Sequence, residues 1–223
     1  MYQPSHFRVD DIAALHALMR AHPFATLVVP TTAGLEINHL PLHLDAEFGL
    51  LVGHVARANP VWQAAARGEA IAVFQGPQTY VTPNWYASKR EHGKVVPTWN
   101  YAVVHAHGAP RWITGDTPEG DAWLHALVER LTDHHEAAHR EQLARRGVDA
   151  AAAWRVDDAP ADYLATMRRA IVGLELPIAR LEGKFKLSQN RPAADREAVV
   201  LGLTQRGDED SAEGVARGSS FGA

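Results

Sequence analysis

The chain contains no cysteine, and that absence excludes several classes of chemistry. Disulfide bonds, thiolate nucleophiles and zinc or iron–sulfur sites with cysteine ligands all require a residue that is missing here. No apolar run approaches the length that a membrane-spanning helix needs. The first residues, MYQPSHFRVDD, also lack the basic-then-apolar pattern of a signal peptide. These absences predict a soluble, cytoplasmic protein that has no membrane partner.

Excess positive charge is absent as well. The formal net charge is −4 and the isoelectric point is near 6.3. A surface that binds nucleic acid everywhere is usually basic, so this balance argues against one and leaves room only for a local basic patch. Apolar residues are plentiful by comparison, at 46% of 223 residues, which is enough for a substantial core.

A long strand is predicted for residues 95–108, which read VVPTWNYAVVHAHG. Side chains alternate along a strand, so Trp99 and Tyr101 share one bulky face while Asn100 lies on the other, smaller face. No charged residue occurs between Lys94 and Arg111, which predicts that both faces are covered. One cover is expected to be the protein's own core, and the other a ligand or a second subunit.

The spacing of short strands predicts an α+β protein that is mainly β. Residues 70–75 and 79–82 are predicted to form a hairpin around Gly76 and Pro77. Strands this close together, with helices between and after them, favour an antiparallel β-barrel with peripheral helices. The alternative is a doubly wound α/β fold, but it needs a regular alternation that residues 70–113 lack. Residues 204–223 have little to bury and are predicted to be a disordered tail.

Two segments have the composition of a phosphate site. In the first, GHVARANP, a strand delivers His54 and Arg57 to Asn59, which is predicted to cap a helix that ends at Gly68. The free N–H groups of a helix N-terminus and a forked guanidinium both favour phosphate. The alternative is that Arg57 pairs with a surface carboxylate and Asn59 is only a cap.

The second segment, GKFKLSQNRP, surrounds three polar side chains with three cations just before another predicted helix. That composition suits a phosphate or a polyhydroxyl chain, although a solvated basic loop is an equal alternative. The cations are Lys184, Lys186 and Arg191, and the polar residues are Ser188, Gln189 and Asn190.

A third pattern, HEAAH, comprises His135, Glu136 and His139 and matches the H-E-x-x-H arrangement of zinc hydrolases. Its spacing would place both imidazoles on one helical face. The chain has 13 histidines, no third ligand can be identified, and His135 continues the apolar face of Leu131. A zinc hydrolase is therefore only the third hypothesis for the function.

Six segments occur in an order that is similar to one known family. They are MYQPSHF, GHVARANPVW, FQGPQTYVTPNWYASK, VVPTWNYAVVHAHG, AIVGLELPI and GKFKLSQNRPAADR. Together they resemble the PaiB-type FMN-binding negative transcriptional regulators. The resemblance runs from Met1 to about Leu203, so it predicts one domain over residues 1–203.

The resemblance implies a split β-barrel like that of pyridoxamine-phosphate oxidase, with FMN held at the interface of a bacterial homodimer. It also implies repression of genes in bacilli, and hence promoter DNA as a partner. A flavin-dependent oxidoreductase is the alternative, because related barrels host such enzymes and a fold does not decide function. The candidates for the flavin ring are Asn38, His39, Trp99 and Asn100. Those for the phosphate and ribityl chain are His54, Arg57, Asn59, Lys184, Ser188, Gln189 and Asn190.

Overall fold

The computed structural model describes residues 1–149 and 152–218. These residues form ten β-strands and six α-helices. The strands are β1 (Arg8–Val9), β2 (Phe24–Thr31), β3 (Gly34–Pro41), β4 (His43–Asp45), β5 (Leu50–Ala56), β6 (Ala70–Val81), β7 (Thr98–Gly108), β8 (Arg111–Thr114), β9 (Ile171–Pro177) and β10 (Arg180–Lys186). The helices are α1 (Ile12–Ala21), α2 (Ser88–His92), α3 (Pro118–Arg145), α4 (Ala161–Arg169), α5 (Ala193–Gln205) and α6 (Glu209–Arg217).

The predicted α+β class is confirmed, and the chain folds as two compact units that are each discontinuous in sequence. Unit 1 contains residues 1–28 and 71–107 together with the chain from 178 onward. Unit 2 contains residues 29–70 and 108–177. The assignment of residues 1–203 to one domain stays a prediction. Within the described part of the chain, no helix is both long enough and apolar enough to cross a membrane.

Unit 1 is built on a sheet with the strand order β1-β10-β7-β6-β2. Helix α1 packs on this sheet through Leu15 and Leu18, which are 1% and 0% exposed. Glycines on the sheet make room for them. A Cβ atom at Gly183 would lie 2.1 Å from the Leu15 Cδ2 atom, and one at Gly76 would lie 3.0 Å from Leu18 Cδ1. The absence of side chains there lets the helix approach the sheet closely.

The long strand predicted for residues 95–108 is present as β7, although it begins at Thr98. Its small face is buried and includes Asn100, which is 1% exposed, and Ala102, which is 0% exposed. Its bulky face is only partly covered within unit 1, because Trp99 remains 55% exposed. The core of the protein therefore covers one face of β7, as expected, while the other face stays open to a partner or ligand.

The predicted hairpin at Gly76 and Pro77 is wrong, because β6 runs unbroken from Ala70 to Val81. The buried positions along it are 70, 72, 74 and 76, and then 79 and 81. The alternation of buried and more exposed side chains thus shifts by one residue at Gly76 and Pro77, while the strand continues. Gly76 packs against Ala102 of β7, and this tertiary contact outweighs the local turn preference of the pair.

The predicted disordered tail is wrong for the residues that the structure describes, and residues 219–223 lie outside them. Helix α5 continues to Gln205, and α6 follows with Asp208 as its N-cap. Ala212 and Val215 of α6 are each 4% exposed and join a cluster with Val81 and Leu203. The prediction failed because Ala212 and Val215 lie among Gly, Ser and charged residues, so that their shared face is inconspicuous in the sequence.

A buried carboxylate joins α5 to the first residue of α2. Asp195 is 1% exposed, and it accepts hydrogen bonds from the Ser88 amide at 2.9 Å and from the Ser88 hydroxyl at 2.7 Å. Burial alone would raise the pKa of Asp195, but the hydrogen bonds from Ser88 and the charge of Arg191 outweigh it. The pKa therefore lies below its ordinary value.

Replacement Asp195→Asn is expected to lower the free energy of unfolding by about 1–2 kcal/mol, because the amide keeps only one acceptor oxygen for Ser88 and has no charge to strengthen that bond. The folded-state pKa is depressed, so this contribution is present above the unfolded pKa and disappears as the pH falls through the folded one. Urea unfolding at neutral and acidic pH measures the difference. Glu197→Gln, an exposed change on the same helix, is the control, and equal losses for both variants would contradict the prediction.

Unit 2 contains a second sheet with the order β4-β5-β9-β8, together with β3, which follows β2 through a tight turn. Helix α3 begins after its N-cap Thr117, whose Oγ1 accepts a hydrogen bond from the Gly120 amide at 3.1 Å. It covers the sheet with Leu127 and with Trp123. A Cβ atom at Gly173 would lie 2.2 Å from the Trp123 ring, so the ring packs against the sheet where a larger residue would not fit. Strand β9 ends at Pro177, and β10 follows it from Arg180.

The helix predicted from Asn59 to Gly68 is also wrong, since only a 3-10 turn forms at Pro60–Trp62. Asn59 does cap that turn as predicted. The backbone beyond it bonds to the end of β2 instead of to itself, with the Arg67 amide donating to the Pro30 carbonyl at 2.7 Å. Strand pairing therefore satisfies the backbone groups that a helix would have used.

Candidate functional site

The GHVARANP segment of unit 2 forms a small polar cluster with β3. The Asn59 side-chain amide donates to Asn38 Oδ1 at 2.5 Å, while Asn59 Oδ1 accepts from the Val61 amide at 3.0 Å. The two asparagines are thus brought together although they lie in separate predicted elements. Both are only partly exposed.

The orientation of both asparagine side chains follows from the backbone. The Val61 N–H is a donor, so the atom that meets it must be Asn59 Oδ1, and Asn59 Nδ2 must then face Asn38. Asn38 presents its Oδ1 to that donor, and its Nδ2 is left buried with no hydrogen-bond partner in the described structure. A buried donor without a partner costs about 1–3 kcal/mol, which a ligand acceptor would recover.

Arg57 lies two residues before Asn59 and is held by Asp116. Its Nη2 and Nη1 atoms lie 3.0 Å and 3.4 Å from the two carboxylate oxygens. The hydrogen bond from Arg57 holds the pKa of Asp116 below its ordinary value. The guanidinium also lies over the Trp62 ring, 5.9 Å from its centroid. The alternative proposed from sequence, a carboxylate partner for Arg57, is thus observed, yet Arg57 Nε remains buried without a partner.

His54 and His39 occupy different surroundings from this cluster. His39 is exposed on β3, next to Asn38 in sequence and on the opposite face of the strand. His54 of β5 lines two cavities beside α3, and burial lowers its pKa. The assignment of both residues to the flavin stays a prediction.

Most polar side chains of the GKFKLSQNRP segment already have hydrogen-bond partners within unit 1. Asn100 Nδ2 donates to Ser188 Oγ at 2.9 Å, and Ser188 has a left-handed backbone with φ of 62°. Gln189 Oε1 accepts from the Leu187 amide at 2.7 Å, and its amide group donates to the Phe185 carbonyl. These contacts hold the chain in a tight reversal after β10.

The remaining candidates of unit 1 are aromatic or basic. Lys184 is 9% exposed, and its ammonium group lies between the rings of Tyr2 and Tyr101, at 5.4 Å and 5.3 Å. Trp99 and Tyr101 line a cavity of about 320 Å³ on the open face of β7. Asn190 is exposed.

The two predicted segments therefore differ in how many of their polar side-chain atoms have a hydrogen-bond partner. In unit 1, Asn100, Ser188 and Gln189 use their polar atoms on one another or on the backbone. In unit 2, Asn38 and Arg57 each keep a buried N–H without an acceptor in the described structure. Since buried donors are nearly always satisfied in proteins, these two N–H groups set the segment of unit 2 apart from that of unit 1.

The HEAAH pattern does not meet a third ligand among the described residues. His135 and His139 are exposed on α3, and Glu136 accepts a hydrogen bond from the Trp154 amide at 3.1 Å. The described residues contain one other group of three metal-ligating side chains, His105, His107 and Glu182 in unit 1. There the Arg180 guanidinium lies 2.7 Å from Glu182 Oε1 and supplies the positive charge that a metal would bring.

Sequence reasoning missed two residues that shape this site. Asp116 lies in the turn between β8 and α3, far in sequence from Arg57, and no spacing pattern connects them. Trp62 was not among the predicted site residues, but in the structure its ring lies against the Arg57 guanidinium. Trp62 also donates from Nε1 to the Arg57 carbonyl at 2.9 Å.

The fold is that of the split-barrel class. The chain belongs to the family described as "Putative FMN-binding domain", which it matches over residues 1–180. This membership identifies FMN as its cofactor and confirms the resemblance seen in the sequence.

Individual relatives are similar to this chain over most of its length. The chain is 30% identical to the protease synthase and sporulation protein PAI 2 of Bacillus subtilis, over 90% of this chain and 87% of that protein. It is 34% identical to a protein of Aspergillus fumigatus, over 94% and 93% of the two chains. The family is therefore not confined to bacteria, and a bacterial origin stays a prediction. The flavocytochrome Anf3 of Azotobacter vinelandii shares the fold, with a TM-score of 0.54 and 13% identity over 80% of this chain and 69% of that one.

Proposed function

We propose that the chain is an FMN-dependent regulatory protein whose polar cluster in unit 2 holds the phosphate and ribityl chain of the flavin. The observation that carries this proposal is the pair of buried, unsatisfied donors, Asn38 Nδ2 and Arg57 Nε. A phosphate can replace the Asp116 carboxylate as the partner of the Arg57 fork, since both are bidentate anions. Asn38 then has the ribityl hydroxyls or the phosphate as an acceptor.

We also propose that the chain acts as a homodimer. The support comes from the open face of unit 1, where Trp99 is 55% exposed, Tyr80 is 42% exposed and Val96 is 65% exposed. The Tyr80 and Trp99 rings are neighbours, with centroids 6.1 Å apart. Exposed apolar groups gathered in this way mark a surface that a partner or a ligand covers.

Light scattering on a size-exclusion peak is expected to give twice the mass of one chain, which is 24.4 kDa. Trp99→Ser should shift the equilibrium toward single chains, because it removes a large apolar contact from the proposed interface. Phe48→Ser changes an exposed aromatic residue of unit 2 and serves as the control. A mass of one chain for the wild-type protein at micromolar concentration would overturn the dimer.

The regulatory role predicts binding to promoter DNA that is weak and strongly dependent on salt. The net charge of −4 leaves only local clusters of cations to contact phosphates, and such contacts release counterions as they form. A labelled promoter fragment titrated at two salt concentrations measures both the affinity and the slope. Tight binding that is insensitive to salt would contradict this prediction.

An oxidoreductase using the same flavin is the other function that the fold allows. Turnover of NADH or NADPH by the FMN-loaded protein distinguishes the two. Sustained oxidation of either nucleotide would favour the enzyme, whereas a flavin that stays oxidised in their presence would favour the regulator.

A further inference from the structure

A cavity of about 350 Å³ in unit 2 lies against one face of helix α3, and it plays no part in the proposed phosphate site. The residues that α3 contributes to its wall recur at the spacing of a single helical face. They are Val128, Leu131, Thr132, His135 and Glu136. The histidine and glutamate that open the HEAAH pattern therefore line a cavity, although they meet no third metal ligand among the described residues.

The opposite wall of the cavity comes from three separate places in unit 2. Pro41 ends strand β3, His54 lies on β5, and Trp154 lies between α3 and α4. Trp154 is 47% exposed, whereas Leu131 on the α3 side is 7% exposed. The cavity therefore has an apolar floor and an aromatic residue at its rim, and an apolar pocket with a few polar groups is the usual form of a small-molecule site.

The charge in this wall is negative. Among the described residues that line the cavity, Glu136 is the only carboxylate, and none is a lysine or an arginine. Burial lowers the pKa of His54 and thereby favours its neutral form. A cation is therefore the charged group that this wall would attract, while a carboxylate or phosphate would meet repulsion.

The Glu136 carboxylate has bonding capacity left for such a cation. It accepts a hydrogen bond from the Trp154 amide at 3.1 Å, and no lysine or arginine of the described chain forms an ion pair with it. Arg140, one turn further along α3, is exposed and does not line the cavity. Since an ionised carboxylate offers about four acceptor positions, most of them remain available to a ligand.

The rest of the wall favours an apolar body for that cation. Val128, Leu131 and Pro41 present only carbon side chains to the cavity, and burial of apolar ligand surface against them is favourable. The hydrogen bond between Glu136 and the Trp154 backbone holds the carboxylate next to the aromatic residue. A cation beside Glu136 is then also close enough to be attracted by an indole ring.

The volume sets the size of the ligand. An apolar cavity of roughly 150 Å³ is enough to hold benzene. A space of about 350 Å³ therefore accommodates a fused pair of aromatic rings with a short side chain.

We propose that this cavity binds small aromatic amines in their protonated form, with the rings against Val128 and Leu131 and the ammonium group on the Glu136 carboxylate. All three residues line the cavity as the structure stands, so binding requires no rotation of a side chain. This site gives an FMN-binding protein a second, independent small-molecule ligand.

Calorimetric titration of the wild-type protein with tryptamine, 3-ethylindole and indole-3-acetate tests the proposal. At about pH 8 an ordinary imidazole is neutral and a primary amine is still charged, so the three probes differ in charge while the histidines of the wall contribute none. Tryptamine is expected to bind about tenfold more tightly than 3-ethylindole, because a hydrogen bond to a charged group contributes that factor. Indole-3-acetate should bind more weakly than either.

Three results of this titration would overturn the proposal. They are equal affinities for tryptamine and 3-ethylindole, no binding of tryptamine, and a preference for indole-3-acetate.

Two variants locate the site. Glu136→Gln keeps the size of the side chain and an acceptor for the Trp154 amide but removes the charge, so tryptamine should bind only as well as 3-ethylindole does. Thr132→Phe fills the cavity and should abolish the binding of both. Glu141→Gln, which removes an exposed carboxylate from the same helix, is the control and should bind tryptamine as the wild type does. Undiminished tryptamine binding by Glu136→Gln or by Thr132→Phe would place the amine elsewhere and overturn the proposal.

Titration of the same variants with FMN shows whether the two sites are independent. Glu136→Gln and Thr132→Phe alter no residue of the Asn38, Arg57 and Asn59 cluster, so they should bind FMN as the wild type does. Loss of the preference for tryptamine with FMN binding intact is the expected pattern. Loss of both in a variant with a native circular dichroism spectrum would contradict a separate amine site.

Discussion

A chain that ends at Gly207 is expected to be less stable than the full chain by about 3–5 kcal/mol. The truncation removes Val215, which is 4% exposed, from its cluster with Tyr86 and Leu203. It also removes Asp208, which accepts a hydrogen bond from the Thr79 hydroxyl at 2.7 Å. Thr79 is 4% exposed, and its hydroxyl would lose this acceptor and keep only the hydrogen bond that it accepts from Arg206.

Urea unfolding of the two chains measures this loss. Glu213→Ala changes only an exposed residue of α6 and should stay within about 0.5 kcal/mol of the wild type. Val215→Ala should give an intermediate loss, because it keeps the helix and its Asp208 cap. A truncated chain as stable as the full one would show that α6 contributes nothing and would restore the prediction of a disordered tail.

Arg57→Ala is expected to weaken FMN binding by about ten- to a hundredfold. The guanidinium would lose a charge-assisted bond to the phosphate, and the unsatisfied Nε donor shows that its bonding capacity is not exhausted by Asp116. Riboflavin has the same ring and ribityl chain without the phosphate, so its affinity should hardly change. Quenching of flavin fluorescence gives the four dissociation constants, for the wild type and the variant with each of the two flavins.

The control for Arg57→Ala is Arg130→Ala, another arginine of unit 2, which pairs with Asp45 at 3.4 Å. It removes the same charge from a site with no unsatisfied donor in the described structure, so both flavins should bind unchanged. An equal loss of FMN and riboflavin in Arg57→Ala would mean that Arg57 is structural. No loss of either would move the phosphate to the GKFKLSQNRP segment, where Lys184→Ala is the next variant.

The sequence predicted those parts of the fold that depend on local chemistry. The cap at Asn59 and the long strand β7 both follow from residue type and spacing, and the structure confirms them. The hairpin at Gly76 failed because its contact with Ala102 is distant in sequence. The helix after Asn59 failed for the same reason, since the partner of Arg67 is Pro30 on another strand.

The candidate site shows a similar limit. Composition identified Arg57 and Asn59 but could not rank them against Ser188 and Gln189, because both segments contain the same kinds of polar group. The ranking depends on which donors are already satisfied. That depends in turn on contacts such as Asn59 with Asn38 and Arg57 with Asp116, which lie 21 and 59 residues apart in the chain.

Titration of the purified wild-type chain with FMN and with riboflavin, followed by flavin fluorescence, tests the central claim most directly. We expect saturable quenching with one FMN for each chain, and weaker binding of riboflavin because the phosphate contact is missing. Absence of saturable quenching by FMN at micromolar protein would contradict the assignment of FMN as the cofactor. Equal affinities for the two flavins would contradict a phosphate site in this chain.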